Sequence, residues 1–381
     1  MLTEKENYLG QVLNHIADEI NITEDMYDKA VTSYESVGKW LGEGLRYSVK
    51  IMPQGSMNLG TVIKPLDDSD DYDMDLVCLL ENGSKLSLDY IKNIVGDRLK
   101  EHPIYRSKLE DEGKRCWTMQ YDEFHMDILP CVPKDDVFVE PYITGIKLTH
   151  KLDNGEYIPK YSDPYAYHTW FENRMRDSLL VEKRAFATKN KVDIEKVPTY
   201  RMRTPLQKAI QLLKRHRDAC FDGHDEHAPI SIIITTLAAL AYNGETNLYE
   251  ALCGIIERMP SHIELRGLTY WVENPVMSGE NFAEKWRDEP IKYTTFKNWM
   301  KQVKKDLIED PLGCYGIDAI SSKYKTILGK TPVERAIKKM GTDAFDARKN
   351  GHLYVNGLIG GITTTSTEQS KPVKEHTFFG K

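Results

Sequence analysis

Cysteine is scarce and scattered. Six residues (Cys78, Cys116, Cys131, Cys220, Cys253, Cys314) are spread over 381, with no Cys-x-x-Cys pair and no Cys/His set at zinc spacing. That pattern excludes a structural zinc module and a disulfide framework, and predicts reduced, mostly buried thiols. No apolar run approaches a bilayer. The longest, Ile232 to Ala241, is interrupted by Thr235 and Thr236 and falls well short of the ~20 residues a spanning helix needs. Positive charge is not in excess: Lys and Arg number 51 against 58 Asp and Glu, a net charge of −7. A nucleic-acid-binding surface spread over the whole chain is therefore excluded, and only a local basic cleft remains open. Met1-Leu2-Thr3-Glu4-Lys5-Glu6 carries acids where an export signal carries basic residues before an apolar stretch. The expectation is a soluble, cytoplasmic protein that engages no membrane.

At this length, with 40% hydrophobic residues, the chain can bury two cores, and a bilobal enzyme is the starting expectation. Apolar residues recur at helical spacing from Asn7 to Leu45 (Tyr8, Leu9, Val12, Leu13, Ile16, then Tyr34, Val37, Trp40, Leu41), with Asn21-Ile22-Thr23-Glu24 supplying capping residues between. From Tyr47 to about Val139 the signal changes to short β-branched and aromatic runs bounded by Gly, Pro and Asp, a mixed α/β region. Between Glu140 and Pro205 the periodicity is lost among prolines and tyrosines, which predicts a long crossing segment. Helical patterns then dominate: Leu206 to Phe221, Ile230 to Tyr242, Leu248 to Met259, Asn281 to Asp288, Tyr293 to Glu309 and Pro332 to Lys339. This divides the chain into N-terminal helices bridging the lobes (1–45), an α/β palm (46–160), a helical lobe (161–350) and a flexible tail (357–381) too poor in apolar residues to order itself.

The most informative segment is Asp67-Asp68-Ser69-Asp70-Asp71-Tyr72-Asp73-Met74-Asp75-Leu76-Val77-Cys78-Leu79-Leu80. From Tyr72 it reads as a strand, on which Asp73 and Asp75 project together. Like charges held so close are unfavourable unless a cation lies between them, and all-oxygen ligands suit Mg²⁺ or Mn²⁺. Isolated, such a run is usually a solvated loop. A calcium loop starting at Asp71 fails, because positions six and twelve are Leu76 and Asn82 rather than Gly and Glu. A second strand-like run, Phe124-His125-Met126-Asp127-Ile128-Leu129-Pro130, sets one acid among apolar residues. An ionised carboxylate there needs a partner: a Lys or Arg, or a metal shared with Asp73 and Asp75.

Upstream, the strand-like Val49-Lys50-Ile51-Met52-Pro53 leads into Gln54-Gly55-Ser56-Met57-Asn58-Leu59-Gly60-Thr61. A Gly-Ser turn opening a helix offers backbone N–H groups and a hydroxyl to an anion. Taken alone it is an ordinary turn. Its weight comes from the order: strand, Gly-Ser turn, helix, strand with Asp-x-Asp, later strand with a lone Asp.

That order resembles the DNA polymerase β-like nucleotidyltransferases. With the long N-terminal helices and the helical lobe after Pro205, it is similar over roughly residues 5 to 345 to the bacterial cyclic-GMP-AMP-synthase-like and oligoadenylate-synthase-like enzymes, the CD-NTases of antiphage signalling. Gln54-Gly55-Ser56 through Asp71-Tyr72-Asp73-Met74-Asp75 looks most like the clade-D cyclic trinucleotide synthases. The resemblance implies an α+β, bilobal fold: a mixed-sheet palm plus a helical, oligoadenylate-synthase-like C-terminal lobe. It implies metal binding and catalysis by Asp73, Asp75 and Asp127, and nucleotide contacts from Gln54, Gly55 and Ser56. For the triphosphate it implies Lys214 on one helix and Ser231 opening the next, although a Ser at a helix start is ordinarily a cap. Lys208, Arg215 and Arg217 share the Lys214 helix, whose apolar positions predict an amphipathic helix packed on the palm with some basic residues facing solvent. Tyr200, Arg201 and Arg203 either reach a nucleotide base or lie in an exposed linker.

The expected activity is a Mg²⁺-dependent synthesis, with Mn²⁺ as substitute, of a 3′-5′ linked cyclic oligonucleotide from ATP and GTP, cyclic AMP-AMP-GMP being the expected product, in antiphage (CBASS) signalling. Two alternatives stand beside it: addition of one nucleotide or a linear tail to RNA or a small molecule, and an inactive nucleotide-binding scaffold. Lacking the Cys/His zinc module with which a vertebrate relative docks DNA, the chain is expected to ignore duplex DNA. The C-terminal Thr377-Phe378-Phe379-Gly380-Lys381 resembles tails that a ubiquitin-transfer-like enzyme links to targets, Phe378 and Phe379 anchoring and Gly380 threading. Lys381 departs from that pattern and would have to be removed.

Overall fold

The computed structural model describes residues 2–66, 71–190, 202–357, 361–363, 366 and 370–373. Helix α1 (Glu4–Ile20) opens with a reciprocal cap: the Thr3 hydroxyl accepts from the Glu6 N–H, and the Glu6 carboxylate accepts from the Thr3 N–H. Thr23 caps α2 (Glu24–Gly44) through Met26 N–H, so the break falls at the capping cluster. The two helices serve different cores. Leu9, Val12, Leu13 and Ile16 of α1 are buried in the helical lobe, whereas Ala30, Val37 and Leu41 of α2 pack on the sheet.

The palm runs β1 (Val49–Gln54), α3 (Gly55–Leu59), β2 (Tyr72–Leu80), α4 (Leu88–Glu101), α5 (Pro103–Lys108), β3 (Trp117–Gln120), β4 (Phe124–Pro133), β5 (Ile146–Lys151) and β6 (Tyr157–Ser162). The sheet order is β1-β2-β4-β5-β6, with β3 pairing to the first half of β4. Only β2 and β4 are parallel; the other pairings are antiparallel. Tyr72, Met74, Leu76, Phe124, Met126 and Ile128 face the α2 side and form its core. The intervening residues of β2 and β4 therefore face the other way, which is where the aspartates lie.

Residues 140–205 correct the expectation of a plain crossing segment. They hold β5, β6, α6 (Pro164–Arg174) and α7 (Arg176–Asn190). The periodicity was weak because β6 is an edge strand with no fully buried residue, and because α6 buries only Tyr167 and Phe171.

The helical lobe contains α8 (Pro205–Phe221), α9 (Ser231–Ala241), α10 (Leu248–Arg258), a hairpin of β7 (Glu264–Arg266) and β8 (Thr269–Trp271), and α11 (Lys285–Asp288). It continues with α12 (Pro290–Lys304), which passes through a π-turn, Lys305–Glu309, into α13 (Asp310–Gly313), then α14 (Ile317–Leu328) and α15 (Lys330–Lys349). Helix α8 also corrects a reading. Arg215, one of the basic residues expected to face solvent, is buried at 2% exposure, and Lys214 is buried beside it at 4%. With Gln207 and Gln211 they form a polar stripe that donates to the carbonyls of Leu59, Thr61, Val62, Lys64 and Pro65. That segment leaves α3 outside the sheet, so its carbonyls need side-chain donors. The stripe thereby ties the lobes together at the Gly-Ser turn.

Part of the expected flexible tail is ordered. β10 (Gly361–Thr363) and β11 (Ser370–Pro372) pair on either side of β9 (Tyr354–Asn356). The segment does not order itself: Asn356 donates to Glu4 at 2.5 Å, and the Tyr315 hydroxyl donates to the Gly357 carbonyl. Phe378, Phe379, Gly380 and Lys381 lie outside the described residues, as do Asp67, Asp68, Ser69, Asp70, Tyr200 and Arg201. Of the thiols, Cys78 and Cys131 are buried, Cys116, Cys253 and Cys314 partly so, and Cys220 is exposed, against the expectation that most are buried.

Candidate active site

Strand register assembles the site. β2 and β4 run parallel with Asp75 opposite Asp127 and Asp73 opposite His125, so the four side chains form a two-by-two array on one face. The Asp75 row continues outward across antiparallel pairings, to Gln54 at the end of β1 and to Thr118 on β3. Gln54, Asp75, Asp127 and Thr118 thus cross four strands in line. Farther along β2 the same face becomes apolar, with Val77 and Leu79 buried, so the acids occupy only its opening.

Gly55 shows how closely the Gly-Ser turn approaches the acids. Its φ is +61°, and a Cβ there would sit 2.1 Å from Asp75 Oδ2; only glycine admits both the left-handed backbone and the neighbouring carboxylate. Ser56 is half-buried in α3. That helix is only five residues long, so it supplies a turn of free N–H groups with a much smaller dipole than the expected helix.

The carboxylates are electrostatically crowded. Burial, then the charges of Asp127 and Asp73, push Asp75 up to about 6, against the pull of Lys214. Asp73, at the solvent-facing rim, is also raised by the surrounding protein and by Asp127, while His125, Lys214 and Arg217 act the other way. An all-oxygen donor set in which Asp127 raises the proton affinity of both Asp73 and Asp75 suits a hard divalent cation. The residues present therefore fit such an ion.

Lys214 reaches this cleft from α8, its Nζ donating to the Thr61 carbonyl at 3.2 Å. Burial, chiefly, and the Arg217 charge lower it to about 8, with Asp218, Asp75 and Asp73 opposing. Ser231 is the first residue of α9 and is not its cap, which is Ile230. Its hydroxyl accepts from Arg217 at 2.8 Å, and Arg217 also binds the Pro229 carbonyl and Asp218. His125 and Thr118 were not singled out from sequence, and Arg217 was read only as a basic residue of the Lys214 helix. The available signals were spacing: Arg217 follows Lys214 by one helical turn, and His125 alternates with Asp127. Arg203 packs instead beside Gly60, behind α3.

Among the described residues, His216, Cys220 and Asp306 also bring ligand-type atoms within 4.8 Å of one another. Trp299 Nε1 meets His216 Nδ1 at 3.1 Å, and indole can only donate. Nδ1 is therefore the acceptor, and Nε2 carries the proton given to Asp306 at 3.1 Å. Burial tends to raise the Asp306 carboxyl, but the bonds from His216 and Gln302 outweigh it and hold the group below its ordinary value. A metal on Nε2 would require the opposite tautomer and break the Trp299 bond, so this cluster is a structural network.

Residues 49–130, which contain the Gly-Ser turn and all three aspartates, match the family described as cyclic GMP-AMP synthase DncV-like, nucleotidyltransferase domain. Over 98% of its length the chain is 31% identical to a c-di-GMP synthase of Roseivirga ehrenbergii, covering 97% of that protein. The chain belongs to the CD-NTase family. It is a nucleotidyltransferase that makes a cyclic oligonucleotide from nucleoside triphosphates. A second relative, the cyclic dinucleotide synthase CdnG of Bradyrhizobium diazoefficiens, is 26% identical over 92% of this chain and 88% of its own. The solved structure of that organism's CdnG with GTP superposes with a TM-score of 0.69 at 23% identity, over 88% of this chain and 99% of the other. Vibrio cholerae DncV, a cyclic AMP-GMP synthase, shares the fold with a TM-score of 0.53 at 14% identity, over 87% and 90% of the two chains. These CD-NTases carry the polymerase β-like, mixed α+β architecture seen here. Among the described residues no helix is long and apolar enough to cross a membrane.

Proposed function

We propose that this CD-NTase uses GTP, alone or with ATP, and closes a 3′-5′ linked cyclic dinucleotide at the face bearing Asp73, Asp75 and Asp127, with Mg²⁺ as the ion. The observation that carries the site assignment is the register of Asp75 beside Asp127, with Gly55 held against Asp75. The names of the two relatives, a c-di-GMP synthase and a cyclic dinucleotide synthase, favour a two-nucleotide ring. The sequence resemblance of the Gly-Ser and Asp-x-Asp segments favours the larger cyclic AMP-AMP-GMP.

Asp73, Asp75 and Asp127 would hold the ion, which would supply Lewis-acid activation of the acceptor hydroxyl and charge neutralisation at the leaving pyrophosphate. The Gly55-Ser56 turn, with Gln54 beside it, contacts the donor nucleotide through N–H groups and hydroxyl. Lys214 and Ser231 bind the triphosphate, and their anchorage through Thr61 and Arg217 fixes where its charge lies. Each linkage forms one phosphodiester bond at the α-phosphorus and releases pyrophosphate. The product acts as a second messenger in antiphage signalling. Conjugation of the tail by a ubiquitin-transfer-like enzyme, after loss of Lys381, is a separate part of the same proposal.

Mass spectrometry of products formed from all four ribonucleoside triphosphates with Mg²⁺ tests it. A phosphatase-resistant cyclic dinucleotide containing guanylate is expected, and a trinucleotide would favour the second ring. Nucleotide incorporation should be lost when Asp73 and Asp75 are both changed to Asn. Normal turnover by that double variant would overturn the site assignment.

A further inference from the structure

Asp127 differs from its two companions in having a neutral hydroxyl fastened to it. Thr118 stands directly opposite in the β3–β4 register, and its Oγ1 donates to Asp127 Oδ1 at 2.5 Å. A hydroxyl has one proton to give, so the Cys116 Sγ, 3.6 Å from Thr118 Oγ1, acts there as the donor. The order is thiol to hydroxyl to carboxylate.

The strand that presents Thr118 is held from behind. β3 is four residues long and packs on α4 through Trp117, whose indole N–H donates to the Lys92 carbonyl. The buried Lys92 ammonium donates to the carbonyls of Gly113 and Cys116, at 2.8 Å each, fixing the chain that enters the strand. Gly96 makes room for the indole: a Cβ there would lie 2.2 Å from the Trp117 ring. The clamp sets Thr118 before any cation arrives.

We propose that Thr118 is a positioning residue for the catalytic ion: by tying down Oδ1 of Asp127 it presents Oδ2 to the shared cation. The physical need comes from the crowding already described. Three like charges gain by rotating apart, and a carboxylate turned away from its neighbours must be turned back when the ion binds. A short bond to an ionised acceptor holds it in place and spreads its charge. Supporting bonds of this kind around metal ligands are worth about 10–100-fold in metal affinity. The inference rests on the assignment of the three aspartates as cation ligands.

The test compares wild type with Thr118→Val, which keeps the shape and removes the donor, and Thr118→Ser, which restores it. Mn²⁺ binding is titrated by electron paramagnetic resonance without nucleotide, and turnover of GTP and ATP is measured against Mg²⁺ concentration. Thr118→Val should weaken Mn²⁺ binding about tenfold or more and raise the half-activating Mg²⁺ concentration to match. Its kcat and KM at saturating Mg²⁺ should stay near wild type, and Thr118→Ser should recover the wild-type curves. Wild-type metal curves in a folded Thr118→Val protein would overturn the inference alone. A loss of kcat at every Mg²⁺ concentration, unchanged in Mn²⁺ binding, would also overturn it by showing a merely structural role. Absence of Mn²⁺ binding in wild type, or its persistence when Asp73 and Asp75 are both Asn, would overturn the aspartate assignment and this inference with it.

Discussion

Asp75→Asn should make the metal-free protein more stable while removing its activity. Asp75 lies among Asp73, Asp127 and the Gly55 turn, and burial together with the two neighbouring charges lifts it from an ordinary 3.8 to about 6. The folded protein therefore holds this proton more tightly than the unfolded chain. By linkage, the ionised group weakens the fold progressively as pH rises from about 4 to about 6, and the full penalty persists above that range. At 1.36 kcal/mol for each tenfold change in proton affinity, the penalty at pH 7 is about 3 kcal/mol. An unfolding entropy of ~2.1 cal/mol/K per residue converts this to a Tm gain of about 4 °C for a chain this long. Melting curves of both proteins in EDTA, from pH 4 to pH 7.5, provide the assay. They should coincide near pH 4 and separate through pH 6, with the Asn variant the higher. Added Mg²⁺ should raise wild type more than the variant, because the ion binds only where the carboxylates can hold it. A variant that melts at or below wild type at pH 7.5 in EDTA would refute the claim that charge crowding strains this face.

Two further outcomes follow from the same geometry. Gly55→Ala places a methyl 2.1 Å from Asp75 Oδ2 on a backbone with φ +61°; nucleotide incorporation should fall at least tenfold, with about 1–2 kcal/mol lost in denaturant unfolding from the left-handed backbone alone. Lys214, lowered to about 8 mainly by burial, is charged below that pH and neutral above it, so the wild-type KM for nucleotide should rise between pH 7 and 9. In Lys214→Met the KM should be high throughout and lack that rise.

The pair Asp73 and Asp75 was legible because strand alternation is a local property, and the chain around them is apolar enough to declare itself a strand. The bridging helices were legible for the same reason, with Thr23 marking their break. Lys214 and Ser231 came forward only through resemblance: nothing in the composition of α8 separates a lysine aimed at the cleft from one aimed at water. The burial of Arg215 was missed because it depends on residues 59–65 lying outside the sheet, with carbonyls that a side-chain stripe on α8 satisfies. Strand β6 was missed because an edge strand with no fully buried residue has little hydrophobic alternation to show.

By itself the sequence determined which residues share a face of their own element, Asp73 with Asp75 above all, since that follows from a period of two or 3.6 residues along a single strand or helix. The tertiary structure decided what stands opposite. β2 meets β4 only after α4, α5 and β3 have intervened, and a slip of one residue in that parallel pairing would turn Asp127 to the other face of the sheet. The same register, not any local signal, brings Thr118 to Asp127 and Gln54 to Asp75. Long-range pairing is set by the packing of whole faces against α2 and α4, a property of the assembled molecule that no stretch of neighbouring residues contains.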